Sequence, residues 1–289
     1  MLLRALAAVA FVTALVLTPR VSSAEETAPE LETHALRSEA RAILAALVTT
    51  LTPEERARTI GIYLAVDADP ADPTALAACD DDGDYVLVVS DAMLRLMDHA
   101  ARAAAIDDPS ISARKVAEYG AFLARSQRPT ERLLPPPPGF FGNDAQRDPA
   151  ELRRDALAFV LGRELEHVRA GDVTCPHPTA TKERGDDVWT AAERRAAFAL
   201  AARTYRADAR PRDLAAAARL FAAGGSGKGA LATLGVFAAI EQAAPARGAA
   251  AFSPSYLRHH PSSSERMSTV RRAATPAPAA AGAPGAAEI

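Results

Sequence analysis

The chain has 289 residues, of which 33 are lysine or arginine, 36 are aspartate or glutamate, and two are cysteine. Its hydrophobic share of 49% and charged share of 24% exclude a wholly disordered chain, and its length allows one large domain or two small ones. The net charge of -3 offers no basic footprint, so we expect no nucleic-acid partner.

Residues 1–24 have the pattern of a secretory signal peptide. Arg4 makes the amino-terminal part positive, residues 5–17 are apolar, and residues 21–24 are small enough for cleavage. The apolar stretch is shorter than the ~20 residues that a membrane helix needs. We therefore predict export to the periplasm or the extracellular space, with no membrane span in the mature protein.

The next segments alternate between helical and extended patterns. Apolar residues at helical spacing over residues 30–51 predict a first helix, and Thr52 followed by Pro53 is typical of the start of a second, short one. Residues 60–66 and 85–89 are rich in β-branched and aromatic side chains, which predicts strands.

An Asp-Gly pair at 82–83 is a hairpin signal directly before the second of these runs. We therefore expect a small antiparallel sheet. Ser90 can cap a helix that runs from residue 91 to about residue 105. His34 and His99 lie at helix positions that we expect to be exposed to solvent.

Export also bears on the two cysteines, Cys79 and Cys175. An even number of cysteines in an oxidising compartment predicts one disulfide between them. Two unrelated buried thiols are the alternative.

Two segments lack helix or strand patterns. Residues 125–143 contain four consecutive prolines and a Gly-Phe-Phe-Gly run, which predicts an inserted loop whose aromatic side chains fold back or contact a ligand. Residues 273–289 consist mainly of alanine, proline and glycine and are predicted to be a disordered tail. Residues 25–272 therefore form the predicted folded domain.

A helix is predicted over residues 149–170. Asp148 suits its N-cap, Glu151 suits a capping box, and Gly171 suits its stop. Two apolar stripes run along this helix, which indicates that it is central in the fold. One of the stripes also carries charged residues, and buried ionisable groups need partners.

The charged residues of this helix are Arg163, Glu164 and His167. Residues 163–167 read Arg-Glu-Leu-Glu-His, which differs at the first position from the His-Glu-x-x-His pattern of zinc metallopeptidases. In that pattern the two histidines bind one metal ion and the glutamate activates a bound water. The glutamate and the second histidine are present here, and the first histidine is arginine.

Four stretches together resemble one family. They are Val88-Val89-Ser90 with Met93-Leu94, residues 159–168, Glu193 on the apolar face of a helix predicted over residues 189–205, and His260-Pro261 with Arg266. In this order they resemble the HtpX-like and CAAX-prenyl-protease-like metallopeptidases, across residues 35–272. The resemblance implies a zincin-like α+β fold, mainly helical, with a small antiparallel sheet beside the central motif helix.

The resemblance also implies roles for single residues. His167 and Glu193 would be zinc ligands, and Glu164 would be the general base. His260 would lie near the metal and assist the transition state, while Arg266 would hold the carboxy-terminal segment in place.

Two positions depart from the family pattern. Arg163 replaces the first histidine ligand, and Ala197 replaces the aspartate that would support that histidine. A catalytic zinc ion needs three protein ligands, and two remain. We therefore favour a pseudopeptidase with an impaired or lost zinc site, in which Arg163 stands in for the metal and pairs with Glu193 or Glu164. Its cleft either binds polypeptide or serves only to hold the fold.

The sequence leaves two alternatives open. The protein is an active zinc endopeptidase if His177 or His260 supplies a third ligand. It is a non-enzymatic helical exported domain if Arg163, Glu164 and His167 are only a salt-bridged core, in which case His260 need not approach the motif helix.

Overall fold

The computed structural model describes residues 24–142, 147–176, 178, 209–244 and 252–275. The helices in these ranges are α1 (Ala24–Thr49), α2 (Pro53–Arg58), α3 (Asp91–Ala104), α4 (Pro109–Ser126), α5 (Ala150–Arg169), α6 (Ala209–Ala222), α7 (Lys228–Ala243), α8 (Ser255–Arg258) and α9 (Ser263–Ala273). The strands are β1 (Tyr63–Asp67), β2 (Ala75–Cys79) and β3 (Tyr85–Ser90). This confirms the α+β, mainly helical class. The signal peptide, the helix predicted over 189–205 and all but the start of the predicted tail lie outside the described residues.

The three strands form one mixed sheet in the order β1-β3-β2. β2 and β3 are antiparallel and joined by a tight turn, in which Asp80 Oδ1 accepts the N–H groups of Asp82 and Asp84 at 3.0 and 2.8 Å. Gly83 has a φ of 85° there, a conformation that glycine adopts without steric cost. The predicted Asp-Gly hairpin is therefore present.

The prediction of a wholly antiparallel sheet was wrong, because β1 runs parallel to β3. The sequence pattern missed β2, which is rich in alanine, a residue with low strand propensity. β2 forms the hairpin with one edge of β3, and β1 pairs with the other edge in the same direction as β3. β3 is buried along its whole length.

Local signals correctly placed the helix that follows the sheet and the loop after α4. Ser90 Oγ accepts the Met93 N–H at 3.0 Å and caps α3. The Tyr119 hydroxyl on α4 donates to the Leu134 carbonyl at 2.9 Å, and the Phe140 ring lies edge-on to the Tyr119 ring at 6.3 Å. The aromatic side chains of the proline-rich loop therefore fold back onto α4.

The predicted motif helix is α5, and it lies at the centre of the fold. It contacts α1, α3, α6 and α7 and also packs on β2 and β3. Every side chain from Phe159 to Val168 is buried. At the end of the helix Gly171 has a φ of 79°, and the Asp172 N–H donates to the His167 carbonyl at 3.0 Å, which closes the helix.

A close crossing of α7 over α5 leads to a stability prediction. Gly229→Ala is expected to lower the free energy of unfolding by about 1–3 kcal/mol, because its Cβ would lie 1.7 Å from the Leu152 carbonyl oxygen. Gly162→Ala is the matched control on α5, since its Cβ would lie 3.8 Å from the nearest atom, in Ala216. The control should gain about 0.5–1 kcal/mol of helix propensity. Urea denaturation measures the free energy of unfolding of both variants. Equal losses of stability in the two variants would contradict the close crossing of α7 over α5.

The predicted disulfide between Cys79 and Cys175 is present, with a Cα–Cα distance of 5.4 Å. It joins the end of β2 to the segment that follows α5, and it is compatible with export. Within the described ranges, no helix is long and apolar enough to cross a membrane.

The two helical histidines differ in their surroundings. His34 is exposed, as predicted. His99 is not, because α4 covers it: its ring lies 5.6 Å from the Tyr119 ring, edge to face, and its side chain is 12% exposed. Burial lowers the pKa of His99 from 6.5 to about 4, although nearby Asp98 opposes the change.

His99 should therefore weaken the fold in acid. The unfolded chain takes up a proton below pH 6.5, whereas the folded chain does so only near pH 4, so stability falls as the pH drops through this window. The expected loss from this group is about 3 kcal/mol at most. His99→Phe should flatten the stability profile between pH 6.5 and 4 relative to the wild type, as measured by urea denaturation at each pH. If the stability of the wild type and of His99→Phe changed in parallel between pH 6.5 and 4, the lowered pKa of His99 would be refuted.

Candidate functional site

Arg163 lies at the centre of a buried cluster of charged side chains. Its side chain is 0% exposed, as the helical stripe predicts. Its Nη1 donates to Glu164 Oε1 at 2.9 Å, and its Nε donates to Asp213 Oδ1 of α6 at 3.0 Å. Of the two expected partners of Arg163, Glu164 is therefore observed, and Glu193 lies outside the described residues.

Arg266 on α9 binds the same aspartate. Its Nη2 donates to Asp213 Oδ1 at 2.9 Å, and its Nε lies 3.1 Å from both carboxylate oxygens. The guanidinium carbon also lies 5.1 Å from the centroid of the Tyr256 ring. Burial by itself raises the pKa of Asp213, but the guanidinium groups of Arg266 and Arg163 outweigh it and lower that pKa below its ordinary value.

His260 approaches the cluster from the connection between α8 and α9. Its Nε2 lies 3.6 Å from Glu164 Oε1, its Nδ1 contacts the Tyr256 carbonyl oxygen, and its ring stacks on the Tyr256 ring at 3.9 Å. Burial lowers the pKa of His260 well below its usual value, and the nearby Arg163 and Arg266 act in the same direction. The imidazole is therefore neutral at pH 7.

His167 lies one helical turn after Arg163 and is oriented by a carboxylate. Its Nδ1 donates to Asp172 Oδ2 at 2.7 Å, and Asp172 is itself held by Arg212, whose Nε and Nη2 donate at 2.7 and 2.8 Å. Burial lowers the pKa of His167 to about 4, so this imidazole is also neutral at pH 7.

Glu166, the remaining charged residue of the motif, has a separate set of partners. Its side chain is 0% exposed and accepts from Arg219 Nε of α6 at 2.6 Å and from Arg169 Nε at 2.6 Å. Glu55 of α2 also binds Arg219, at 2.8 Å. Glu166 therefore connects α5 to α6 and α2 and takes no part in the Arg163 cluster.

Two adjacent residues of α6 position the site, and the sequence pattern missed both. Asp213 binds Arg163, while Arg212 binds the aspartate that orients His167. No sequence signal distinguishes them, because charged residues on helices are ordinarily exposed. Their role follows from the packing of α6 on α5.

The structure brings four of the predicted site residues into one cluster. Arg163, Glu164, His260 and Arg266 come from α5, the α8–α9 connection and α9. His167 lies next to them on α5. Glu193, Ala197 and His177 lie outside the described residues.

The charges of the cluster cancel. The guanidinium groups of Arg163 and Arg266 balance the carboxylates of Glu164 and Asp213, and both histidines are neutral. Across the described part of the chain, no group of three or more His, Cys, Asp or Glu side chains is placed to hold a metal ion. A catalytic zinc ion here would add two positive charges beside the fixed guanidinium of Arg163, at a place where the described charges already balance.

Comparisons with protein-family models, with curated proteins and with solved structures find no match. The resemblance to metallopeptidases accordingly rests on the ordered sequence motifs.

Proposed function

We propose that this chain is an exported pseudopeptidase: a non-catalytic relative of the HtpX-like and CAAX-prenyl-protease-like metallopeptidases, with a zincin-like fold and a cleft that binds polypeptide. The observation that carries the proposal is the place of Arg163. It is fully buried at the first position of a degenerate His-Glu-x-x-His motif, between Glu164 and Asp213. The expected destination is the periplasm or the extracellular space.

A guanidinium can take over the electrostatic role of the metal. Two buried carboxylates need positive partners, since an unpaired buried charge is strongly destabilising. Arg163 supplies one of these partners to Glu164 through a charge-assisted hydrogen bond of 2.9 Å. Glu164, the general base of an active relative, is then an ion-pair partner and is not available to activate water.

The alternative of a plain helical domain gives no reason for His260 to lie beside the motif helix. The 3.6 Å distance between His260 Nε2 and Glu164 Oε1 favours the metallopeptidase-like arrangement over it. His260 and the motif helix are far apart in the chain, and both resemble family motifs.

One observation favours the other alternative, an active zinc endopeptidase. The Nδ1 of His167 is bound by the Asp172 carboxylate at 2.7 Å, and metal-binding histidines are commonly oriented in this way. His177 or His260 would then have to complete the ligand set.

Zinc content and peptidase activity separate the two functions. We expect the purified protein to carry far less than stoichiometric zinc in elemental analysis, because Arg163 occupies the site. We also expect no casein or peptide hydrolysis above background, with or without a chelator. Stoichiometric zinc, or chelator-sensitive hydrolysis that Glu164→Gln abolishes, would overturn the proposal in favour of the active enzyme.

A further inference from the structure

The proline-rich loop after α4 exposes one side chain at every third position. Between residues 132 and 138 the exposed side chains are those of Arg132, Pro135 and Pro138, and the residues between them are buried or half-buried. This spacing is that of a polyproline II helix, which has three residues per turn. The three exposed side chains therefore lie along one edge of the loop, which we name the proline edge.

The sequence explains the conformation of this loop. Proline fixes its own φ at about −65°, and a residue that precedes a proline is restricted to extended or polyproline II backbone. Residues 134–137 all precede a proline, and the peptide bonds of the run are trans. The run therefore adopts polyproline II, which makes no internal hydrogen bonds and can use its carbonyl groups to accept hydrogen bonds from a partner.

The rest of the protein holds the proline edge in place. The buried Leu133 donates its N–H to the Pro70 carbonyl at 2.6 Å. The Leu134 N–H donates to Gln127 Oε1 at 2.8 Å. At the other end, a turn is closed by the Phe140 N–H, which lies 2.9 Å from the carbonyl three residues earlier. A segment that is already ordered loses little conformational entropy on binding, so the edge is preorganised for a partner.

The charge beside the prolines is positive. Arg132 is exposed and stands one polyproline turn, roughly 9 Å at about 3.1 Å per residue, before Pro135. Two other exposed residues of the loop, Arg128 and Glu131, pair with each other at 3.3 Å and cancel in charge. The guanidinium of Arg132 therefore selects a partner with a carboxylate at the matching position.

We propose that the proline edge is a docking site for a second protein, whose groove is lined by aromatic side chains and carries a carboxylate at one end. Segments with two prolines three residues apart bind grooves of this kind, because the preformed helix presents its proline rings to the aromatic faces. Pro135 and Pro138 fill the groove, and Arg132 pairs with the carboxylate. The proline edge shares no residue with the buried Arg163 cluster, so the docking site does not depend on the function of that cluster.

Calorimetric titration of the full chain with an SH3 domain tests the docking site. SH3 domains bind such proline segments in an aromatic-lined groove, and the probe is one that carries a carboxylate at the end of its groove. We expect one binding site per chain. The same probe with its groove tryptophan replaced by alanine should bind at least about tenfold more weakly. Absence of saturable binding, or equal binding of the two probes, would overturn the proposal.

Variants of the chain locate the contact. Pro135→Ala with Pro138→Ala, and separately Arg132→Glu, should each weaken binding of the probe at least about tenfold. Pro136→Ala is the matched control and should bind almost like the wild type, because this half-buried proline lies off the exposed edge. Circular dichroism checks that each variant is folded. A probe with lysine in place of its groove carboxylate should bind Arg132→Glu better than it binds the wild type. Equal weakening by Pro136→Ala and the edge variants, or unchanged binding of Arg132→Glu, would refute the docking site.

Discussion

Asp213→Asn is expected to lower the free energy of unfolding by about 3–5 kcal/mol, as is typical when one partner of a buried ion pair is removed. Asp213 is 1% exposed and is the shared acceptor for Arg163 and Arg266. Without its charge, two buried guanidinium groups remain against the single carboxylate of Glu164. Urea denaturation followed by circular dichroism measures the loss, which is a large fraction of the stability of an ordinary domain.

Asp107→Asn is the control for this prediction. It removes an aspartate that pairs with Arg147 at a similar distance, 2.7 Å, but the two side chains are 49% and 69% exposed. Exposed pairs contribute about 0–1 kcal/mol, so the control should unfold almost like the wild type. If Asp213→Asn were as mild as the control, the cluster would not be a buried network, and Arg163 would not be needed to balance buried carboxylates.

Removing the disulfide by replacing Cys79 and Cys175 with serine is expected to cost about 4 kcal/mol of stability. The bond spans 96 residues of chain, so it restricts the unfolded state strongly. It also fastens the segment that carries Asp172, the carboxylate that orients His167. The loss of stability is measured as the difference in urea denaturation midpoint between the double variant and the oxidised wild type.

A reducing agent provides the control for the disulfide. The wild type in reductant should approach the stability of the double-serine variant, and the variant itself should not respond to reductant. Identical midpoints for oxidised wild type and variant would show that the bond contributes nothing to stability. A reductant effect on the variant would show that the reagent acts elsewhere.

The candidate site was only partly predictable from the sequence. Arg163, Glu164 and His167 lie within two turns of one helix, so helical periodicity alone indicates that they share a buried region. His260 and Arg266 were identified by their order along the chain, which carries no distance information. Asp213 had no signal at all, because its importance arises from two arginines that are 50 and 53 residues away in sequence.

The fold, like the site, was predictable where the signal acts locally and unpredictable where it depends on distant contacts. Ser90, the Asp-Gly turn at 82–83 and Gly171 act through their own backbone or a neighbour a few residues away, and each was predicted correctly. The direction of β1 was predicted wrongly, because the sequence pattern did not reveal β2, the strand that pairs with the opposite edge of β3. β2 is rich in alanine, and its packing against α5 stabilises it. The exposure of His99 likewise depends on the packing of α4 over α3.

The sequence by itself thus determined the mainly helical class, the central helix with its buried charged residues, and the disulfide. These depend on periodicity, capping chemistry and residue type, which act over a few residues. Only the tertiary structure decided what Arg163 pairs with and how the strands are ordered. Such contacts join residues that are distant in the chain, and their energies come from burial and charge balance, which one-dimensional patterns do not carry.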